Sequence, residues 1–157
     1  MSESSEDKTR RRFAKYLLDP RWTYQYSFFY EDPTDSKALL EDQKVFRQEL
    51  RRKFPDQPFL VRVQTLKRPG REFQAYLTIY TTQKTEGMFE LSERYFPVNV
   101  LYRQLTERRR EVKAHKILTQ KPHDLSKLFG SVRIRRYGII NKHLLAAPEI
   151  EQEAYGN

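Results

Sequence analysis

The sequence predicts an α+β fold in which an antiparallel β-sheet packs against two helices. Segments with alternating residues of high strand propensity occur at 22–30, 59–66 and 72–81. Segments with apolar residues at helical spacing occur at 37–54 and 97–117. The 157 residues are typical of one domain, and the lack of cysteine excludes a disulfide scaffold, a zinc ribbon and cysteine catalysis.

The N-terminal third of the chain predicts a tail, a strand and a helix, in that order. Residues 1–12 contain no apolar side chain after Met1 and predict a disordered tail. Residues 22–30 predict the first strand, because aromatic residues dominate both sets of alternating positions. Residues 37–54 predict a helix whose apolar positions share one face: Leu39, Phe46, Leu50 and Phe54.

A hairpin follows, with strands at 59–66 and 72–81 joined by a turn at Pro69-Gly70-Arg71. The second strand of the hairpin has an apolar face formed by Phe73, Ala75, Leu77 and Ile79. Its other face carries Gln74, Tyr76, Thr78 and Tyr80.

The last elements are a helix from Pro97 to about Ile117 and a strand over 131–140. The resulting order, β-α-β-β-α-β, is that of the ferredoxin-like fold, with both helices on one face of the sheet and the other face open. The domain is expected to span 13–147, and 148–157 to form a loose C-terminal tail.

The positive charge of the chain is concentrated in one segment. The net charge is +9, and residues 101–143 hold twelve Lys and Arg against three acidic residues, whereas the rest of the chain is balanced. Charge runs are often only solvated faces, but a local excess of this size is typical of proteins that bind a polyanion. The expected phosphate contacts are Arg108, Arg109, Arg110, Lys113, Arg133, Arg135 and Arg136, with Tyr76 on the open sheet face as an aromatic contact to bases.

Several segments resemble the rolling-circle replication initiators, endonucleases with a His-hydrophobic-His metal motif. The resemblance covers roughly residues 22–140 and includes an aromatic first strand, a helix core Phe46-Arg-Gln-Glu-Leu50-Arg-Arg52 and the turn Pro69-Gly70-Arg71 before the strand Phe73–Tyr80. It implies DNA as the partner and replication initiation as the process.

The metal motif of that family is missing from this sequence. Its two histidine positions correspond to Phe73 and Ala75, or to Gln74 and Tyr76 in the alternative register, and the ligand expected on the preceding strand corresponds to Gln64. These side chains are poor ligands for a divalent cation. We therefore expect no bound metal or other cofactor and no metal-dependent nicking.

Three alternatives stay open at this point. An active nickase would use Tyr102 or Tyr95, which the resemblance places on or near the nucleophile helix, and would need Mg²⁺ or Mn²⁺. An RNA-binding module would use the aromatic sheet face. A protein-interaction adaptor would present its basic face to an acidic partner. The sequence contains no membrane span or secretory signal, which predicts a cytoplasmic protein without a membrane partner. The sequence leaves the oligomeric state open.

Overall fold

The computed structural model describes residues 4–29, 36–95, 99–130 and 135–145. The helices are α1 (Ser5–Leu17), α2 (Ser36–Lys53), α3 (Met88–Tyr95), α4 (Glu107–Thr119) and α5 (Leu125–Phe129). The strands are β1 (Tyr24–Phe29), β2 (Phe59–Lys67), β3 (Phe73–Thr81), β4 (Asn99–Gln104) and β5 (Tyr137–Ile140), and a 3₁₀ turn follows at Lys142–Leu144.

The five strands form one antiparallel sheet in the order β4-β1-β3-β2-β5. The elements from β1 to β4 follow the order β-α-β-β-α-β, and α1, α4, α5 and β5 are added outside them. The predicted α+β class with an antiparallel sheet is confirmed, and the arrangement is compatible with a ferredoxin-like fold. None of the helices in the described ranges combines the length and apolar character needed to cross a bilayer.

One face of the sheet packs against α2 and α3. The apolar residues of the sheet on this face are Tyr26 and Phe28 of β1, Phe59, Val61 and Val63 of β2, and Ala75, Leu77 and Ile79 of β3. They meet Leu39, Phe46 and Leu50 of α2 and Met88 and Leu91 of α3, and these side chains are almost completely removed from solvent. This layer is the larger of the two hydrophobic clusters. Burial of its apolar area is a main favourable contribution to folding.

The opposite face of the sheet is open only in part, which corrects the sequence-based expectation of a fully open face. Helices α1 and α4 cover part of it and form a second core with Trp22, Leu60 and Tyr80. The helix residues in this core are Phe13, Ala14, Tyr16, Leu17, Ala114 and Ile117. Residues 5–12, predicted to be a disordered tail, form the N-terminal part of α1, which Ser4 caps by accepting a hydrogen bond from the backbone N–H of Asp7.

The predicted helix over 97–117 is confirmed from Glu107 to Ile117 and is wrong before that. Residues Asn99–Gln104 form β4, which pairs with β1, and α4 begins only at Glu107, after the N-cap Thr106. The helix between β3 and β4 is instead α3. Of the apolar residues at helical spacing in this segment, Leu101 is 54% exposed and Val112 is 45% exposed, whereas Leu105 is buried.

The last strand is shorter than the predicted strand over 131–140. Only Tyr137–Ile140 form β5, which pairs with β2, while Arg135 and Arg136 precede it. Residues 131–134 lie outside the described residues, as does the predicted C-terminal tail over 148–157.

Candidate functional site

A groove of about 990 Å³ lies between α4 and the part of the sheet that α1 and α4 leave uncovered. We call it the cationic groove. Its polar floor includes Gln64 and Tyr76, which are cross-strand partners on β2 and β3. Eight cationic side chains line it: Arg62, Arg103, Arg108, Arg109, Lys113, Lys116, Lys121 and Arg136.

Helix α4 contributes several cations to the groove because basic residues recur along it at helical spacing. Arg109, Lys113 and Lys116 are spaced by four and three residues, so they lie on one face of the helix. The neighbouring stripe of Arg110, Ala114 and Ile117 is buried against the protein. The packing of this stripe therefore fixes the rotation of the helix and directs the cationic face into the groove.

None of the described residues that line the groove is acidic. Three ion pairs of the described residues join Arg10 to Asp7, Arg21 to Asp19 and Arg52 to Glu49, and these arginines do not line the groove. The groove thus combines cations from β2, β4, α4, the segment after α4 and the residue before β5.

Arg62 on β2 has an unmet requirement for a hydrogen-bond acceptor. Its Nε atom is buried and has no hydrogen-bond partner within the described protein. A buried donor without a partner loses its interaction with water without compensation, at a cost of roughly 1–3 kcal/mol. An anion in the groove could supply the missing acceptor.

The pKa of Lys113 reflects the positive electrostatic potential in the groove. Burial lowers its pKa, and the charges of Arg62, Arg103, Lys116 and Arg109 lower it further, to about 8. Both effects disfavour the protonated lysine. The four charge contributions come from three different elements, so these cations lie close enough to repel one another.

Arg136 lies at the end of the groove where acidic residues come near. It is buried, and its Nη2 atom donates a hydrogen bond to the backbone carbonyl of His123. Burial lowers its pKa, while the charge of Glu6 acts in the opposite direction and that of Arg62 adds to the effect. A second cavity near this end is lined by Glu6, Asp7 and Asp124, so the positive potential is reduced there.

Gln64 and Tyr76, which the sequence resemblance aligned with metal ligands, are neutral side chains. The Gln64 Oε1 atom accepts a hydrogen bond from Thr78 Oγ1 at 2.7 Å. Burial raises the pKa of Tyr76, although the charge of Arg62 acts against this. No group of three or more His, Cys, Asp or Glu side chains that could hold a metal ion occurs in the described part of the chain.

The structure brings together five of the predicted site residues. Arg108, Arg109, Lys113, Arg136 and Tyr76 line the cationic groove. Arg110 does not, because its side chain turns towards the core and its Nη1 atom donates to the carbonyl of Trp22 at 3.0 Å and to that of Leu105 at 3.4 Å. Arg135 lines a different cavity, and Arg133 lies outside the described residues.

Of the two candidate nucleophiles, Tyr102 is not among the described residues that line the groove. Tyr102 is on β4, not on a helix, and its ring stacks on Tyr24 with the centroids 5.6 Å apart. It also contacts Tyr26 and Phe89, which places it on the sheet face of α2 and α3. Burial and the neighbouring tyrosines raise its pKa. Tyr95 is the last residue of α3, and its side chain lies outside the described part of the structure.

Four of the eight cations were not predicted as site residues from the sequence: Arg62, Arg103, Lys116 and Lys121. The sequence does contain a signal for Arg62. It lies between the apolar residues Val61 and Val63, so the alternation of side chains along β2 places it on the opposite, polar face of the strand. The other three belong to the basic segment but could be assigned to a groove only with the correct boundary between β4 and α4.

Comparisons with known proteins give no match: no protein-family model, no curated protein and no solved structure is significantly similar to this chain.

Proposed function

We propose that this protein binds nucleic acid through the cationic groove, by contacts between its lysine and arginine side chains and consecutive phosphate groups. The observation that carries the proposal is the convergence of eight cations from separate elements on one groove in which no described lining residue is acidic. Solubility does not require such convergence, because charges that serve only solubility are better dispersed over the surface.

The chemistry of the groove suits a phosphodiester strand. Arginine guanidinium groups match the geometry of phosphate oxygens and can donate two hydrogen bonds to one phosphate. Arg62 has a buried donor available for such a contact. Lys113 is destabilised in its charged form by its cationic neighbours, so an anion beside it would remove a repulsion as well as add an attraction.

Tyr76 is the proposed contact to a base. It lies on the floor of the groove among the cations and is partly buried. An aromatic ring beside phosphate-binding cations is the arrangement by which many proteins bind single strands, because any base can stack on it.

DNA is the polymer we propose, together with a role related to replication initiation, because of the resemblance to rolling-circle initiators. A cytoplasmic location belongs to the same proposal. We propose that the groove binds without nicking, since the side chains at the positions of the family's metal ligands are neutral and Tyr102 lies on the other face of the sheet.

The test is direct binding of labelled oligonucleotides by fluorescence anisotropy at about 50 mM salt, where phosphate contacts are strong. Single-stranded DNA, duplex DNA and single-stranded RNA of the same sequence are compared. Saturable binding of DNA supports the proposal, and tighter binding of RNA would change the polymer but retain the groove. Absence of binding to all three would refute it and favour an acidic protein as the partner.

A further inference from the structure

A second cationic cavity lies at the β5 edge of the sheet, next to α2. Its volume is about 310 Å³, and it is lined by Lys44, Arg47 and Arg51 of α2 and by Arg135 and Gly138 near β5. The three α2 cations are spaced by three and four residues and so share one helix face. No acidic residue is among the described residues that line this cavity.

Arg47 occupies a specific position in this cavity. Its Nη2 atom donates to the backbone carbonyl of Arg135 at 2.9 Å. A Cβ atom at position 138 would lie only 2.9 Å from Arg47 Nη1, so the guanidinium needs the space that Gly138 leaves. The side chain is therefore packed against the start of β5 and is not a freely solvated surface arginine.

One donor at this cavity is buried without a partner: the Nε atom of Arg47 has no acceptor within the described protein. Burial and the charge of Arg135 lower the pKa of Arg47 to about 10. None of the described residues that line the cavity provides a counter-charge for this guanidinium, and an oxyanion carries the acceptor that its Nε atom lacks.

We propose that the cavity formed by Lys44, Arg47, Arg51 and Arg135 is a second anion site that binds a phosphate group. The phosphate can belong to a nucleic-acid strand that continues from the cationic groove, or it can be a free phosphate. Only the first source rests on the function proposed above. The adjacent residues Arg135 and Arg136 line this cavity and the cationic groove, respectively, so the path between the two sites passes around the β5 edge.

The Nε–Hε resonance of Arg47 in ¹H–¹⁵N spectra is the most direct probe, because the proposed ligand supplies an acceptor to a donor that has none. The resonance is assigned by its loss in Arg47→Lys. Titration of the full chain with inorganic phosphate should shift it in a saturable manner, whereas sodium chloride at the same ionic strength should not. A response that is equal for both salts, or no response to phosphate, would overturn the site.

Two variants and a control separate the site from general charge effects. Lys44→Glu/Arg51→Glu should weaken phosphate binding by about tenfold or more. Gly138→Ala keeps every charge, but its Cβ displaces the Arg47 guanidinium, so it should also weaken binding. Lys37→Glu/Lys53→Glu changes the same charge on α2 at residues that do not line the cavity, and it should bind phosphate like the wild type. Equal effects of both double variants would contradict the proposal.

The source of the phosphate is decided by repeating the titration with a single-stranded oligonucleotide. If a strand in the cationic groove reaches the cavity, the Arg47 resonance shifts in the wild type but not in Arg108→Glu/Arg109→Glu, and this variant still responds to inorganic phosphate. A response to inorganic phosphate alone supports the site and assigns a free phosphate as its ligand. Failure of the cationic groove to bind nucleic acid therefore leaves the test of this cavity intact.

Discussion

Lys113 on α4 and Arg62 on β2 line the same groove, and burial together with the charge of Arg62 and three other cations lowers the pKa of Lys113 to about 8. The helix and the strand are brought together by the packing of Ala114 and Ile117 beneath α4. The fold therefore places the two cations together despite their repulsion, and the binding of an anion would relieve it.

The lowered pKa predicts that nucleic-acid binding depends on pH. A bound phosphate raises the pKa of Lys113 above its value of about 8 in the free protein. The resulting affinity is fully present below pH 8 and is lost as the pH rises above it, by up to about tenfold per pH unit because one proton is linked to binding. Anisotropy titrations from about pH 7 to pH 9 at constant ionic strength measure this decline.

Lys113→Arg is the control for this prediction, since a guanidinium stays protonated throughout this range. Its affinity should change little between pH 7 and pH 9. An identical decline in the variant and the wild type would show that another group is responsible.

Arg110 and Arg109 are adjacent in sequence but should behave differently. Arg110→Ala removes the hydrogen bonds to the carbonyls of Trp22 and Leu105 in a buried environment. It should reduce the free energy of unfolding by about 2 kcal/mol, as measured by urea denaturation, and leave the salt dependence of binding unchanged. Arg109→Ala should weaken binding with little loss of stability. Loss of stability in Arg109→Ala together with weakened binding in Arg110→Ala would contradict the orientation of α4, in which Arg109 faces the groove and Arg110 faces the core.

Tyr102 should not form a covalent intermediate with DNA. It lies on the sheet face opposite the cationic groove, and burial with its tyrosine neighbours raises its pKa, which disfavours the phenolate that would attack a phosphate. Incubation with single-stranded DNA and Mn²⁺, followed by denaturing electrophoresis, should show no adduct, and Tyr102→Phe should bind DNA like the wild type. An adduct that Tyr102→Phe abolishes would contradict this arrangement.

The hairpin of β2 and β3 and the helix α2 were predicted well from the sequence. The apolar residues of each strand alternate along most of its length, and those of α2 keep a helical spacing. The alternation of Ala75, Leu77 and Ile79 placed them correctly on the face that α2 covers. Phe73, predicted to belong to the same face, is only partly buried and packs against the ring of His123, with the centroids 4.9 Å apart. In contrast, Leu101 and Leu105 follow a helical spacing by coincidence. Residues 99–104 form a strand because β1 has an edge that needs backbone partners, and this requirement comes from the tertiary structure.

The candidate site was only partly predictable, for a related reason. The basic segment was evident from its composition, but the orientation of each arginine depends on where α4 begins. With the helix starting after Thr106, Arg109 faces the groove and Arg110 faces the core. Arg62 belongs to the site only because β2 and α4 line the same groove, an arrangement that no local pattern specifies.

The dependence of DNA affinity on salt tests the central claim most directly. We compare the wild type, Arg108→Glu/Arg109→Glu and the control Lys37→Glu/Lys53→Glu, which has the same net charge as the groove variant. If the groove contacts phosphates, the slope of log K against log salt concentration should decrease in magnitude by about 2 in the groove variant alone. Equal slopes for the two variants would show that the total charge, and not the cationic groove, determines binding.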